Sequence, residues 1–318
     1  MAEKRIGVAV SAPDSAAILA GIEQLEGMGI PAAWLTTGGA GLDGLTLFAA
    51  AAVRTPRIML GTSITPTFPR HPVVVAQQVQ VVAQLAPGRF RLGVGPSARS
   101  GMEQTFGVKH HAPLGHMQEY LRILKALLHK GEVDFKGRYY QARARIPAPV
   151  NVPVMSSALG AKAYELCGAE ADGAISWVVP GVYLRDVALP AMAVGAERAG
   201  RPAPPLVAHA PVCVHENPDE ARAAVRQQFG SFARSPFYQQ MFIAAGFPET
   251  AEGSWSDAMI DAVVLWGNED RVADRIEELF SWGVTEVLAS PVPAGSDRSA
   301  SLERTLGLLA QVSQRIRE

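Results

Sequence analysis

The chain has 318 residues, 48% of them hydrophobic and 19% charged, with 30 glycines, 23 prolines and a formal net charge of -1. That apolar share supports a large core joined by many loops and argues against disorder, and the length suits one α/β barrel with insertions. A near-neutral chain without a long Lys or Arg run lacks the footprint of a nucleic-acid or anionic-membrane binder, so a small molecule is the expected partner.

Ile6 to Val10 reads as a short strand, followed by Asp14 as an N-cap and by Ile18, Leu19, Ile22, Leu25 and Met28 at helical spacing. Gly29 stops that helix. Ala32 to Thr36 is the second strand, and a Gly-rich loop leads from it into the apolar helix Leu45 to Val53. Ile58 to Ile64 is the third strand, whose proline-studded loop Thr65 to Pro72 delivers the chain to a helix over Val73 to Leu85. Arg89 to Val94 is the fourth, and Met117 to Leu128 is an amphipathic helix with Tyr120, Leu121, Leu124, Leu127 and Leu128 on one face. Gly131 to Asn151 is a surface excursion with a hairpin around Phe135 to Tyr140.

The fifth strand is Val152 to Ser156, before the helix Ala161 to Cys167; the sixth is Gly173 to Val178, the seventh Leu206 to Val214 and the eighth Glu286 to Ser290. Between the last two, Asp219 to Val264 reads as helical, so residues from about 217 to 266 are expected as an insertion capping the C-terminal face. Asn268 or Asp270 then starts the helix before the final strand. Alternating strands and helices imply a parallel sheet, and the open doubly wound rival lacks its Gly-x-Gly-x-x-Gly turn, since the first loop is Ser11-Ala12-Pro13-Asp14. The expected fold is α/β, a single (β/α)8 TIM barrel over 1–318 with a helical insertion between strands seven and eight.

Cys167 and Cys213 stand far apart, which suggests neither a disulfide framework nor a zinc site. The apolar stretch at the N-terminus is too short for a secretory segment, and tracts such as Leu45 to Val53 fall well short of the roughly 18 residues a membrane span needs. A cytoplasmic protein is the expectation.

In such a barrel the chemistry sits on loops at the C-terminal ends of the strands. Ser156-Ser157-Ala158-Leu159-Gly160 precedes a helix, where free backbone N–H groups and the helix dipole can receive a phosphate; ordinary N-capping by Ser156 or Ser157 is the other reading. Arg70 and His71 suit structural roles at a helix start. His110, His111 and His116 lack metal-ligand spacing, so no metal site is expected. Asp43 and Glu103 are the acids nearest the mouth, available as proton donors or simply facing solvent.

Several segments together resemble one family. Gly61 to Leu85 (GTSITPTFPRHPVVVAQQVQVVAQL), Pro87 to Gly95 (PGRFRLGVG), Phe106 to Leu128, Pro153 to Ile175 (PVMSSALGAKAYELCGAEADGAI) and Gly267 to Pro291 resemble the luciferase-like flavin- and deazaflavin-dependent oxidoreductases. The short Arg-His-Pro form of the third loop and the compact length are most similar to the branch using coenzyme F420, the 8-hydroxy-5-deazaflavin, with FMN as the alternative. The resemblance implies a bulged third strand with a cis peptide at Ser63-Ile64 supporting the cofactor ring, and a homodimer. Carried over by position, it puts Ser63, Ile64 and Thr65 behind the ring, Gly95, Pro96 and Ser97 along its side, Ser156, Ser157, Ala158, Leu159 and Gly160 around its phosphate, and Thr36 and Trp177 at the site. It departs from the family where Thr37, Gly38 and Ala98 replace the usual acidic and imidazole groups, which leaves the proton donor open, with His116 as the best single candidate.

The reading implied is an enzyme, an F420-dependent reductase passing hydride to an activated C=C, C=O or C=N bond of a small organic substrate, because the cofactor carries the difficult chemistry and the protein orients. The alternatives are an FMN-dependent two-component monooxygenase and a noncatalytic cofactor-binding barrel.

Overall fold

The computed structural model describes residues 3–317; Met1, Ala2 and Glu318, at the ends of the expected 1–318 domain, lie outside them. Eight parallel strands form a ring: β1 (Arg5–Ala9), β2 (Ala32–Leu35), β3 (Met59–Thr62), β4 (Phe90–Gly95), β5 (Val154–Ser157), β6 (Gly173–Ser176), β7 (Leu206–Val214) and β8 (Glu286–Pro291). β8 pairs with β1 and β7 pairs with β6, so the sheet closes and the expected barrel is borne out. Almost every strand residue is buried, as expected where one face meets the barrel interior and the other meets helices.

Around the ring lie α1 (Ser15–Gly27), α2 (Gly44–Arg54), α3 (Pro72–Leu85), α4 (Pro113–Lys130), α5 (Ala161–Glu170), α6 (Leu189–Arg198), α7 (Glu269–Ser281) and α8 (Arg298–Arg315). Asp14 caps α1 by accepting from the Ala17 N–H at 2.9 Å, and Asn268 caps α7 by accepting from Arg271, so both starts were legible as caps. Among the described residues no helix is long and apolar enough to cross a membrane. Both cysteines are free and buried, and burial pushes each thiol up to about 12.

The interior is filled by Trp34, which packs with Ala32, Met155, Ile175, Val207 and Leu288. Gly7 and Gly61 make room for it: a Cβ at either would come within 2.4 or 2.6 Å of the indole. At the N-terminal end of the barrel the indole Nε1–H donates to Glu286 Oε1 at 2.7 Å, and Arg91 pairs with the same carboxylate through both terminal nitrogens. Such a buried pair is tolerated because each charge finds its counter-charge and hydrogen bonds there.

Three local expectations change. The third strand does not run on to Ile64: it ends at Thr62, and Thr65–Pro66 resumes as a separate two-residue strand on β4. The sixth strand stops at Ser176, because Val178 turns the chain with φ 54. Between β7 and β8, the helices Pro218–Phe229, Pro236–Ala244 and Asp257–Val263 are separated by 3-10 turns, and a strand, Leu265–Gly267, pairs parallel with the end of the nine-residue β7. Pro236, Pro248 and Gly253 interrupt the helical reading, and the apolar run through Val264 and Leu265 carried no sign of where helix gives way to strand. The excursion after α4 is an antiparallel hairpin, Glu132–Lys136 with Gln141–Arg145.

Candidate active site at the barrel mouth

Side chains alternate along a strand, so residues in step with Trp34, Met155, Ile175, Val207 and Leu288 face the interior. Continued to the C-terminal ends, that step selects Thr36, Ser63, Gly95, Ser157, Trp177, His209 and Ser290. The Ser63–Ile64 peptide is cis. The Thr36 hydroxyl donates to the Ser63 carbonyl at 2.8 Å, and the Thr37 N–H donates to the Ile64 carbonyl at 3.3 Å, so the end of β2 holds the break after β3. Ile64 and Trp177, both half-buried, pack on the interior cluster from this end. Thr65 is fully enclosed.

Gly95 and Ser157 interlock across β4 and β5: a Cβ on Gly95 would sit 2.1 Å from Ser157 Oγ and 3.1 Å from Ile64 Cγ1. Pro96 is half-buried, and Ser97 is exposed with φ 58. Ser156 is buried, Ala158 ties the segment to β6 by donating its N–H to the Ile175 carbonyl at 3.0 Å, and Leu159 leads to Gly160. The N-cap of α5 is Gly160, not Ser156 or Ser157, and no side chain caps it. A Cβ at Gly160 would meet nothing within 4 Å. The first turn of α5 is exposed, with the Tyr183 hydroxyl set against the Ala161 backbone, and its remaining free N–H groups at the positive end of the helix dipole meet the physical requirement for an anion seat.

On the other side, Trp177 lies flat on His209, with ring centroids 3.6 Å apart and planes 14° apart. His209 Nδ1 receives the Val178 N–H at 3.2 Å, and its Nε2 lies 2.8 Å from Ser290 Oγ. Burial pushes the His209 imidazole down to about 3. From the insertion, Tyr238 donates its hydroxyl to the Trp177 carbonyl at 3.1 Å; Phe229 and Phe242 are buried, whereas Phe237 is exposed.

His116, the proton-donor candidate, lies on α4 behind the third loop. It is buried, stacked on Phe68 at 3.8 Å, with Nε2 2.9 Å from the Tyr140 hydroxyl and 3.2 Å from Thr67 Oγ1. Burial first, then the neighbouring His110 and His111, push it down to about 4, so the ring is neutral at pH 7. His110 stacks on Phe68 as well. His71 caps α3 by accepting from the Val73 N–H. Of the two acids, Asp43 caps α2 and pairs with Arg70 at 2.6 Å, and Glu103 pairs with Arg99 at 3.0 Å. Neither is a free acid aimed into the barrel.

His209 and Ser290 were missed in the sequence, where AHAPV and LASP read as ordinary strand core. The available signal was parity: both fall in step with the inward-facing residues of their strands. Two open hollows elsewhere, one between α4, α5 and α6 and one beside α7 and α8, contain none of the strand-end groups. Among the described residues no cluster of three or more His, Cys, Asp or Glu can hold a metal ion.

The fold is a (β/α)8 barrel, and these strand ends form its candidate ligand site at the C-terminal mouth. The chain belongs to the luciferase-like monooxygenase family, whose model matches residues 2–286. It is 26% identical to the 5,10-methylenetetrahydromethanopterin reductase of Methanopyrus kandleri over 341 aligned positions, covering 95% of this chain and 97% of the relative. It is 37% identical to the F420-dependent glucose-6-phosphate dehydrogenase of Beutenbergia cavernae over 200 residues, 60% of this chain and 59% of the relative. In fold it matches an F420-dependent secondary alcohol dehydrogenase solved with an F420–acetone adduct, with a TM-score of 0.83, 19% identity and coverage of 99% and 100%.

Proposed function

We propose that the protein is a reductase dependent on coenzyme F420, passing hydride to an activated C=C, C=O or C=N bond of a small organic substrate. The observation that carries the reading is the 37% identity to an enzyme whose own name states F420 dependence. The mouth fits such a group: a half-exposed apolar wall of Ile64 and Trp177 suits a flat ring, and the uncapped, open start of α5 suits a phosphate.

When bound, the deazaflavin supplies two electrons as hydride, and the protein is left to bind, orient and exclude water. In this reading Ser63 and Ile64 back the ring, buttressed by Thr65 and tied by Thr36. Gly95, Pro96 and Ser97 flank it. Ser156, Ser157, Ala158, Leu159 and Gly160 seat the phosphate, and Trp177 forms the facing wall. His116 supports Phe68 and the third loop, because a neutral, buried, hydrogen-bonded imidazole has no proton to spare near pH 7. The functional unit in this reading is a homodimer, which sedimentation would test.

The experiment is a side-by-side titration of the protein with F420 and FMN, following quenching of tryptophan fluorescence. Selective F420 binding is expected. Selective FMN binding would replace this reading with the two-component monooxygenase, which activates oxygen through reduced flavin. The engagement of Asp43 by Arg70 and of Glu103 by Arg99 favours a noncatalytic barrel as the second reading, and turnover with reduced F420 would exclude it.

A further inference from the structure

The hydrogen bonds around His209 leave one donor unspent. A backbone N–H only donates, so the Val178 N–H at 3.2 Å requires a lone pair on His209 Nδ1. The ring proton is then on Nε2, which donates to Ser290 Oγ at 2.8 Å. Ser290 accepts that bond, and its own hydroxyl hydrogen has no acceptor among the described residues. The ring is held by Trp177 stacked on it at 3.6 Å and by Phe229 tilted against it at 5.8 Å, and the lowered imidazole value agrees with a neutral ring. Ser290 ends the inward-facing series Glu286, Leu288, Ser290, directly above Leu288 of the interior cluster, and it keeps 7% exposure where His209 keeps 1%.

We infer that Ser290 presents its hydroxyl hydrogen to a carbonyl oxygen of the substrate, with His209 as the positioning residue that fixes it, an inference that rests on the reductase reading above. It narrows the substrate class. A C=C bond has no lone pair of its own, so an activated alkene would meet the hydroxyl only through its activating carbonyl oxygen. An imine becomes reducible as its N-protonated form, which carries an N–H and no lone pair; it could only donate to the second lone pair of Ser290 and would leave the hydroxyl hydrogen unspent. A carbonyl compound satisfies the donor. As hydride adds to the carbonyl carbon, the π pair moves onto oxygen and the Ser290 hydrogen bond strengthens against that charge; water supplies the proton that completes the alcohol. Trp177, resting on His209, gives the apolar wall beside it.

The test uses the full chain with reduced F420 and two probes, cyclohexanone and benzaldehyde, together with nitrogen NMR of the histidine rings in the absence of any ligand. The NMR is expected to show His209 as the neutral Nε2–H tautomer. Ser290→Ala should bind F420 within about 3-fold of the parent protein, lose about 100-fold in kcat and leave KM within about 3-fold, the pattern of a contact made in the transition state. Ser290→Thr should recover most of the loss, and His209→Gln, which keeps a donor toward Ser290, should lose less than His209→Leu. An unchanged kcat in Ser290→Ala, turnover of neither carbonyl probe, or an Nδ1–H tautomer would each overturn the inference. Failure of the parent protein to bind F420 would instead overturn the reductase reading, and the carbonyl role of Ser290 with it, while the NMR still decides the hydrogen-bond assignment on its own.

Discussion

Gly160→Asp separates binding from stability, because the two should move in opposite directions. Gly160 has φ -89 and ψ 160, an extended conformation open to any residue, and its Cβ would meet nothing within 4 Å. An Asp there becomes a side-chain N-cap of α5, worth a few tenths of a kcal/mol over Gly, and the loss of glycine's freedom in the unfolded chain adds about 0.4–1 kcal/mol, so the fold should be stabilised slightly. The same carboxylate occupies the N–H groups assigned to the phosphate. At about 5 Å and an effective dielectric of about 40, repulsion contributes about 1.7 kcal/mol per unit charge, and one lost charge-assisted hydrogen bond adds about 1.5 kcal/mol. The sum, roughly 3 kcal/mol, is about a 200-fold weaker Kd. Fluorescence titration with F420 measures the affinity and a thermal melt the stability. A variant that melts at or above the parent temperature yet keeps its Kd within about 3-fold would refute the phosphate seat.

Gly95→Ala should weaken F420 binding about 10-fold and cost about 1–3 kcal/mol, because its Cβ would displace Ser157 Oγ and press on Ile64; a silent substitution in titration and melt would mean the two strand ends do not interlock. Glu286→Gln should destabilise by about 3–5 kcal/mol, since it strands the buried Arg91 charge, whereas Arg91→Met with Glu286→Gln, which keeps an acceptor for the Trp34 indole, should recover most of that loss in chemical denaturation. Acid should destabilise through His116, lowered to about 4, and His209, lowered to about 3, against an ordinary value of 6.5. The unfolded chain takes up those protons first, so their contribution is intact above about pH 6.5 and is lost as pH falls, by about 2 kcal/mol per histidine at pH 5. His116→Gln and His209→Gln should each flatten the fall in melting temperature between pH 7 and 5; a parent protein whose melting temperature is level over that interval would contradict the burial of both rings.

Much of the fold was legible because its signals are local. The eight apolar runs, the Asp14 and Asn268 caps and the stop at Gly29 follow from side-chain patterning and backbone conformation within a few residues. The segment Ser156 to Gly160 was legible as an anion seat or a capped helix start, and only the structure showed that neither serine is the cap, because a cap depends on which residue's φ and ψ leave the helix. Asp43 and Glu103 were legible as acids near the mouth, yet their partners Arg70 and Arg99 decide that neither carboxylate is free.

By itself, the sequence determined the alternation of strand and helix, the closed parallel barrel and the end of it on which the candidate site lies, since each depends on order along the chain. Tertiary structure alone decided which strand-end side chains share an interior. His209 and Ser290 lie 81 residues apart and read as core until closure of the sheet sets β7 beside β8. Hydrogen-bond direction, and with it the unspent hydrogen of Ser290, exists only between partners brought together across that closure.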